Sequence, residues 1–129
     1  MAEKVLAMAQ VGKEQLEMRE FDMPAVPANG AILKMEAAGL CGGDVDTFRR
    51  TPKHPHIMGH ENVGRIHQIG PIAEQQWGLG EGDLVALEEY LACHQCEWCH
   101  KGLGRHCPNR TVLGIVNQPG VFEEFFVLP

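Results

Sequence analysis

The chain has 129 residues, with 11 lysines and arginines against 17 acidic residues, a formal charge of −6 and a pI near 5.6. That length makes one domain with a sizeable core, and an acidic balance with no basic run argues against a nucleic-acid surface. No apolar stretch reaches the length of a transmembrane helix, and five cysteines behind an N-terminus without a secretory signature fit a reducing, cytoplasmic compartment.

Fifteen glycines and eight prolines, without low complexity or an internal repeat, predict a turn-rich β protein. Lys4–Ala9 reads as a first strand, Val11-Gly12-Lys13 as a turn, and Gln15–Arg19 as a second strand with Leu16 and Met18 inward. Pro24, Pro27 and Asn29-Gly30 mark a loop. Ala31–Ala37 then alternates, with Leu33, Met35 and Ala37 on one face, and runs into Cys41. Asp44 to Arg50 fits a short helix with Asp44 near its start, and the prolines of Thr51–His56 keep that segment an extended loop. Arg49-Arg50 and Lys53, the densest basic patch, read as part of a solvated loop. Val63–Ile69 is a further strand ended by Gly70-Pro71, and the segment from Trp77 to Asp83 is a glycine-rich turn. Leu84–Leu87 has the apolar run of a buried strand, and Val121–Leu128 closes the sheet. Many short strands joined by turns predict a barrel or sandwich.

Four of the five cysteines form the pattern Cys93-x2-Cys96-x2-Cys99-x7-Cys107. Two-residue gaps let the chain double back and aim successive sulfurs at one centre, and Lys101-Gly102-Leu103-Gly104 softens the return of the last. The alternative is two disulfides, but sulfurs three residues apart seldom meet disulfide geometry. His94, His100 and His106 each adjoin a cysteine and would aim their rings elsewhere. The spacing favours a structural four-cysteine zinc site.

Cys41 stands apart in Leu40-Cys41-Gly42-Gly43-Asp44, and Gly59-His60-Glu61 follows nineteen residues later. A lone cysteine after an apolar strand is usually a small buried hydrophobe, and a lone histidine is usually structural. Together with Asp44 and Glu61, however, they offer a thiolate, an imidazole and two carboxylates among glycines. Those are the donors of an open zinc site that keeps one position for water or substrate.

These motifs resemble the N-terminal part of the zinc-dependent medium-chain dehydrogenases, the alcohol dehydrogenase superfamily. The resemblance rests on Cys41-Gly42-Gly43-Asp44, the run from Pro55 to Gly64 around Gly59-His60-Glu61, Gly82-Asp83-Leu84-Val85, the lobe from Cys93 to Cys107, and Gly120-Val121-Phe122-Glu123-Glu124-Phe125. It implies a GroES-like, partly open β-barrel with short helices and an inserted structural-zinc lobe at about residues 88–111. It also implies a catalytic zinc on Cys41 and His60, with Glu61 as an alternative ligand or a nearby carboxylate, and Asp44 orienting the His60 ring. Alcohol dehydrogenase is itself the type case of a catalytic zinc held by two cysteines and a histidine, so these assignments are carried over from the family. The implied reaction is reversible oxidation of an alcohol to a carbonyl, zinc polarising the alcohol oxygen for hydride transfer to NAD or NADP. The implied substrate is a small alcohol or carbonyl compound, in a pocket near Phe48, Met58 and Tyr90, and the full-length enzyme is expected to be a homo-oligomer.

Two local departures bear on the chemistry. Many relatives carry serine or threonine where Gly43 stands, and histidine where Asp46 stands, so a proton would leave through Thr47, Glu61 or water instead. A larger departure is the missing Rossmann fingerprint: Gly78-Leu79-Gly80-Glu81-Gly82 lacks the strand and helix that frame one. Residues 1–129 therefore read as a catalytic-domain portion whose nucleotide-binding half would begin near Pro129, with a further catalytic-zinc ligand often supplied from beyond that point. Two other readings compete. One is a stand-alone zinc-stabilised binding module, which has no need of Cys41, Asp44, His60 and Glu61; the other is a rubredoxin-like iron site, whose paired Cys-x2-Cys loops this spacing does not match.

Overall fold

A computed structural model describes residues 3–115 and 117–128; Met1, Ala2, Val116 and Pro129, the last being the expected start of the link, lie outside the described residues. The fold is mainly β, as the sequence implied, with ten strands in three sheets among the described residues. β1 (Lys4–Gly12) pairs antiparallel with β2 (Gln15–Asp22) on one side and with β4 (His56–Ile57) on the other. The central sheet runs β10 (Phe125–Leu128), β3 (Ala31–Gly39), β5 (Glu61–Ile69), β6 (Leu84–Val85), all antiparallel. A third sheet joins β7 (Tyr90–Leu91), β8 (Thr111–Leu113) and β9 (Asn117–Gln118). Among the described residues the sheets do not close into a barrel.

Two apolar clusters form the core. Ala31, Leu33 and Ile66 pack with Ile69, Trp77, Leu79 and Val85, whereas Leu113, Val121 and Phe126 pack with Leu91 and Leu128. Met35 and Leu87 touch both clusters and tie the central sheet to the third. β3 buries Ala31, Ile32 and Leu33 in succession, while Ala37, expected on the same face as Leu33 and Met35, is exposed.

Several sequence expectations change in detail. Leu16 and Met18 point to solvent, not inward, at 46% and 57% exposure. β2 is an edge strand exposed on both faces, and alternation alone cannot reveal whether a layer covers it. Leu84–Leu87 is not a buried strand: only Leu84–Val85 pair, and Leu84 is more than half exposed. The closing strand is shorter than Val121–Leu128, because Glu123 makes only an isolated bridge to Ala7 before β10 begins. The helix α2 (Pro71–Trp77) replaces what read as the end of a strand and the start of a turn. Proline suits its first turn, and Gly78 at φ +64° caps its end. The short helix α1 (Gly42–Phe48) lies where one was expected.

Among the described residues no helix is long and apolar enough to cross a membrane.

Glu123 is half-buried beside Met8, Met18, Met35 and Phe122 in a shallow cleft of about 370 Å³. Burial pushes its carboxyl from the ordinary 4.5 up to about 8. The folded chain therefore holds a proton there that the unfolded chain releases above pH 4.5, so stability from this group falls as pH rises from 4.5 and levels off above 8. Replacing the carboxylate by a neutral isostere removes that loss. Glu123→Gln should raise the melting temperature by about 2–5 °C at pH 8.5 and leave it nearly unchanged at pH 5, measured by thermal denaturation across pH.

Candidate metal centres

Four thiols converge in the lobe between β7 and β8. The donor atoms of Cys93, Cys96, Cys99 and Cys107 all lie within 4.8 Å of one another, and all five cysteines of the chain are free. Sulfurs 3.5 Å apart (Cys96–Cys99) and 3.9 Å apart (Cys93–Cys99) stand near the ~3.8 Å edge of a tetrahedron with ~2.3 Å zinc–sulfur bonds. His94 adopts φ +57°, which reverses the chain between the first two cysteines, and the short helix α3 (Glu97–His100) carries Cys99 on its first turns. A 3₁₀ turn over Gly104–His106 then brings back Cys107, which is fully buried. The Gln95 backbone N–H draws the Cys93 thiol down to about 6, while desolvation pushes Cys99 up to about 11. This sharing of charge among adjacent thiols is what a divalent cation relieves. None of the three lobe histidines joins the cluster, and His106 packs against Trp98 at 5.7 Å between ring centroids.

The second group forms where the central strands end. Gly39 of β3 pairs with Glu61 of β5, so Cys41, just past one strand, meets His60, just before the other. The donor atoms of Cys41, His60 and Glu61 lie within 4.8 Å of one another. Cys41 is the N-cap of α1; its sulfur accepts the Gly43 N–H at 3.4 Å, while Asp44 Oδ2 accepts the Cys41 N–H at 2.9 Å. The other oxygen, Asp44 Oδ1, lies 3.4 Å from His60 Nδ1, with both side chains buried. That approach is direct but makes no hydrogen bond, and Nδ1 is left as a buried nitrogen without a partner. Asp44 is thus divided between capping a helix and facing the imidazole.

Close approach, not only donor chemistry, shapes this corner. Gly59, at φ +94°, has the face of Phe122 where a side chain would start: a Cβ there would fall within about 2.4 Å of the ring. Glu61 in turn lies across Gly39, whose added Cβ would meet the carboxylate at 2.2 Å. Asn62 fixes the neighbouring segment, accepting the Leu87 N–H at 2.9 Å and donating to the Leu87 and His60 carbonyls at 3.3 and 3.0 Å. The sequence reading did not single out Asn62 or Glu89, whose Oε2 lies 3.7 Å from His60 Nε2. Asparagine after His-Glu is the signal that could have pointed to a side chain joining β5 to the segment after β6. Of the expected pocket residues, Phe48 and Tyr90 are half-buried, whereas Met58 is buried and its carbonyl accepts the Phe122 N–H at 3.1 Å.

A cleft of about 910 Å³ lies elsewhere: Gln10, Thr47, Arg50, Lys53, His54 and His56 line it, and no residue of either cysteine-containing group does. The basic residues there are exposed, as expected of a solvated loop.

Both donor sets fit zinc by their chemistry, four thiolates in one and sulfur, nitrogen and oxygen in the other. A closed and an open metal-type cluster thus stand on one mainly β scaffold. The chain belongs to the alcohol dehydrogenase GroES-like domain family, whose pattern it matches over residues 27–129. It is 37% identical over 105 residues to a probable alcohol dehydrogenase of Mycobacterium tuberculosis, covering 80% of this chain and 29% of that protein. It is 32% identical over 136 aligned positions to the L-threonine 3-dehydrogenase of Pyrococcus furiosus, covering all of this chain and 38% of that protein. Among solved structures, an Escherichia coli protein described as a short chain alcohol dehydrogenase, in complex with NADH, superposes with a TM-score of 0.86 at 29% identity, over 98% of this chain and 36% of that one. The chain thus spans about a third of the length of the relatives it matches.

The lobe has little apolar support of its own, since Trp98 and Leu103 are 44% and 38% exposed. Burial alone is too small to offset the entropy of ordering it, so its order is expected to depend on a bound ion. Cys96→Ser, or removal of metal by a chelator, should speed tryptic cleavage at Lys101 and Arg105 by about tenfold or more while the sheets melt at nearly their usual temperature. Limited proteolysis with mass mapping checks this, and unchanged protection of the lobe would count against it.

Proposed function

We propose that this chain is the metal-holding catalytic portion of a zinc-dependent, NAD(P)-linked alcohol or polyol dehydrogenase. The observation that carries the reading is the meeting of Cys41, His60 and Glu61 donor atoms within 4.8 Å, separate from a complete four-cysteine cluster. In this reading Cys93, Cys96, Cys99 and Cys107 hold a structural zinc in a lobe at about residues 88–111, and Cys41, His60 and Glu61 hold the catalytic one. Zinc bound there supplies Lewis-acid polarisation of the substrate oxygen ahead of hydride transfer to the nicotinamide. The chain's own residues prepare that position. The Gly43 N–H donates to the Cys41 sulfur and fixes its direction, and Asp44 faces Nδ1 and so directs Nε2 outward.

The substrate is a small alcohol or carbonyl compound, and the names of the relatives support that class. The NADH held by one structural neighbour supports nicotinamide as the cofactor, bound by a separate Rossmann domain of the complete protein. A cytoplasmic homo-oligomer that engages neither membrane nor nucleic acid completes the reading, supported by the acidic charge and the free thiols.

The test uses the full gene product, loaded with zinc and assayed with NAD and NADP against secondary alcohols, polyols and L-threonine. Turnover is expected with at least one pair, and His60→Ala should lower kcat/KM by roughly a thousandfold, or about 4 kcal/mol of transition-state stabilisation. A protein that holds both zincs yet shows no nicotinamide-linked turnover would be a zinc-stabilised binding module instead.

A further inference from the structure

We propose that Glu89 is an additional metal donor at the open site, so that Cys41, His60, Glu61 and Glu89 form a four-donor set within this one chain. The inference rests on the reading of that site as a metal centre. Its starting point is the orientation of His60. Nδ1 faces Asp44, which leaves Nε2 as the nitrogen available to an ion, and Glu89 Oε2 lies 3.7 Å from Nε2. That separation is too long for a hydrogen bond. It lies close to the ~3.3–3.6 Å edge expected between nitrogen and oxygen donors that share a tetrahedral ion at ~2.0–2.2 Å.

The surroundings hold Glu89 there. Asn62 locks both polar groups of the Leu87 backbone to β5, immediately beside His60 and Glu61. On the other side the Glu89 carbonyl accepts the Leu113 N–H at 3.1 Å, which seats the residue against β8. The segment is therefore fastened on both flanks; Glu89 stands outside the trio whose donor atoms lie within 4.8 Å of one another, and its side chain, about one-third exposed, would swing onto the ion from its place beside His60 Nε2. Among the described residues its one ion-pair contact is the candidate ligand His60; Arg110 lies instead over the Tyr90 ring. Glu88, one residue earlier, is exposed and faces none of these groups. An incoming substrate oxygen would then exchange with, or add to, a carboxylate rather than displace water alone.

The experiment is titration of the metal-free full gene product with Co²⁺ and Zn²⁺ against a competing chelator, following the visible spectrum of cobalt. The unaltered protein should take up two ions. Glu89→Gln should weaken the second ion by at least about tenfold and shift its cobalt bands, leave the four-cysteine ion unchanged, and be partly restored by Glu89→Asp. Tyr90→Phe, which keeps the carboxylate, should change second-ion affinity far less. Retention of the four-cysteine ion and an unaltered melting temperature establish that the variants fold. If Glu89→Gln leaves second-ion affinity and spectrum as they were while Cys41→Ser weakens them, the role of Glu89 is overturned and the open metal centre stands. If only one ion binds, or Cys41→Ser has no effect, the metal centre and the role of Glu89 fall together.

Discussion

The antiparallel register between β3 and β5 is the constraint on which the open site depends. Cys41 and His60 are far apart in sequence, and neither lies in a strand; each sits just beyond the end of one. The pairs Gly39–Glu61, Ala38–Asn62 and Ala37–Val63 put those two ends side by side. That register is not the one that runs through the middle of the sheet. Lys34 pairs with Arg65 and Met35 with Gly64, and a bulge around Glu36 advances β3 by one residue before the site is reached. Without that extra residue Gly39 would face His60 instead of Glu61, and the donors would be turned to different faces. The Glu36 carboxylate accepts from Arg65 Nε at 2.6 Å, which braces the two strands beside the irregularity.

The two metal-type clusters are therefore built in different ways. The four-cysteine lobe is local: one left-handed residue, a one-turn helix and a 3₁₀ turn bring its sulfurs together within fifteen residues, from Cys93 to Cys107. In the proposed reading, its order depends on the ion it holds more than on what it buries. The open site is assembled from long-range contacts: β3, β5, the Asn62–Leu87 bonds and the packing of Phe122 on Gly59. Met35 and Leu87, which belong to both core clusters, connect this scaffold to the sheet that precedes and follows the lobe. A loss of lobe order and a loss of the open site are thus separable events, one local and one spread through the core.

Legibility in the sequence followed the same division. Cysteine spacing is short-range information, and the convergence of four sulfurs needed nothing further. The strands from Ala31 and Val63 were readable because their aliphatic alternation coincides with real burial of Leu33 and Ile66. Leu16 and Met18 carry a similar pattern, yet no described layer covers β2, so the same signal gave the wrong orientation. Ile72-Ala73 has too little apolar periodicity to announce α2, whose presence depends on Pro71 at its start and Gly78 at its end. The bulge at Glu36 and the reach of Glu89 toward His60 were not legible, because both are consequences of how strands align in space.

Glycine content looked uniform in the sequence, but the positions around the site serve different ends. At Gly59 the backbone is left-handed and a ring occupies the side-chain position, so packing imposes the residue. Gly43 is under no such demand. A Cβ placed there would meet only the Cys41 sulfur, at an ordinary 3.8 Å, and the residue lies in α1, where glycine costs about 1 kcal/mol relative to alanine. A serine would fit the space beside the thiol. The missing hydroxyl at this position is therefore not forced by the fold, and it bears on the chemistry: in the proposed reaction the proton of the substrate hydroxyl leaves by another route. Thr47 lies one turn further along the same helix, half-buried, while Glu61 belongs to the donor trio itself and is exposed to solvent. The carboxylate has the better geometry, because it combines closeness to the metal-type cluster with access to water. In the proposed reaction, Glu61, with Glu89 beside His60, would then offer carboxylate acceptors in place of a hydroxyl next to the cysteine.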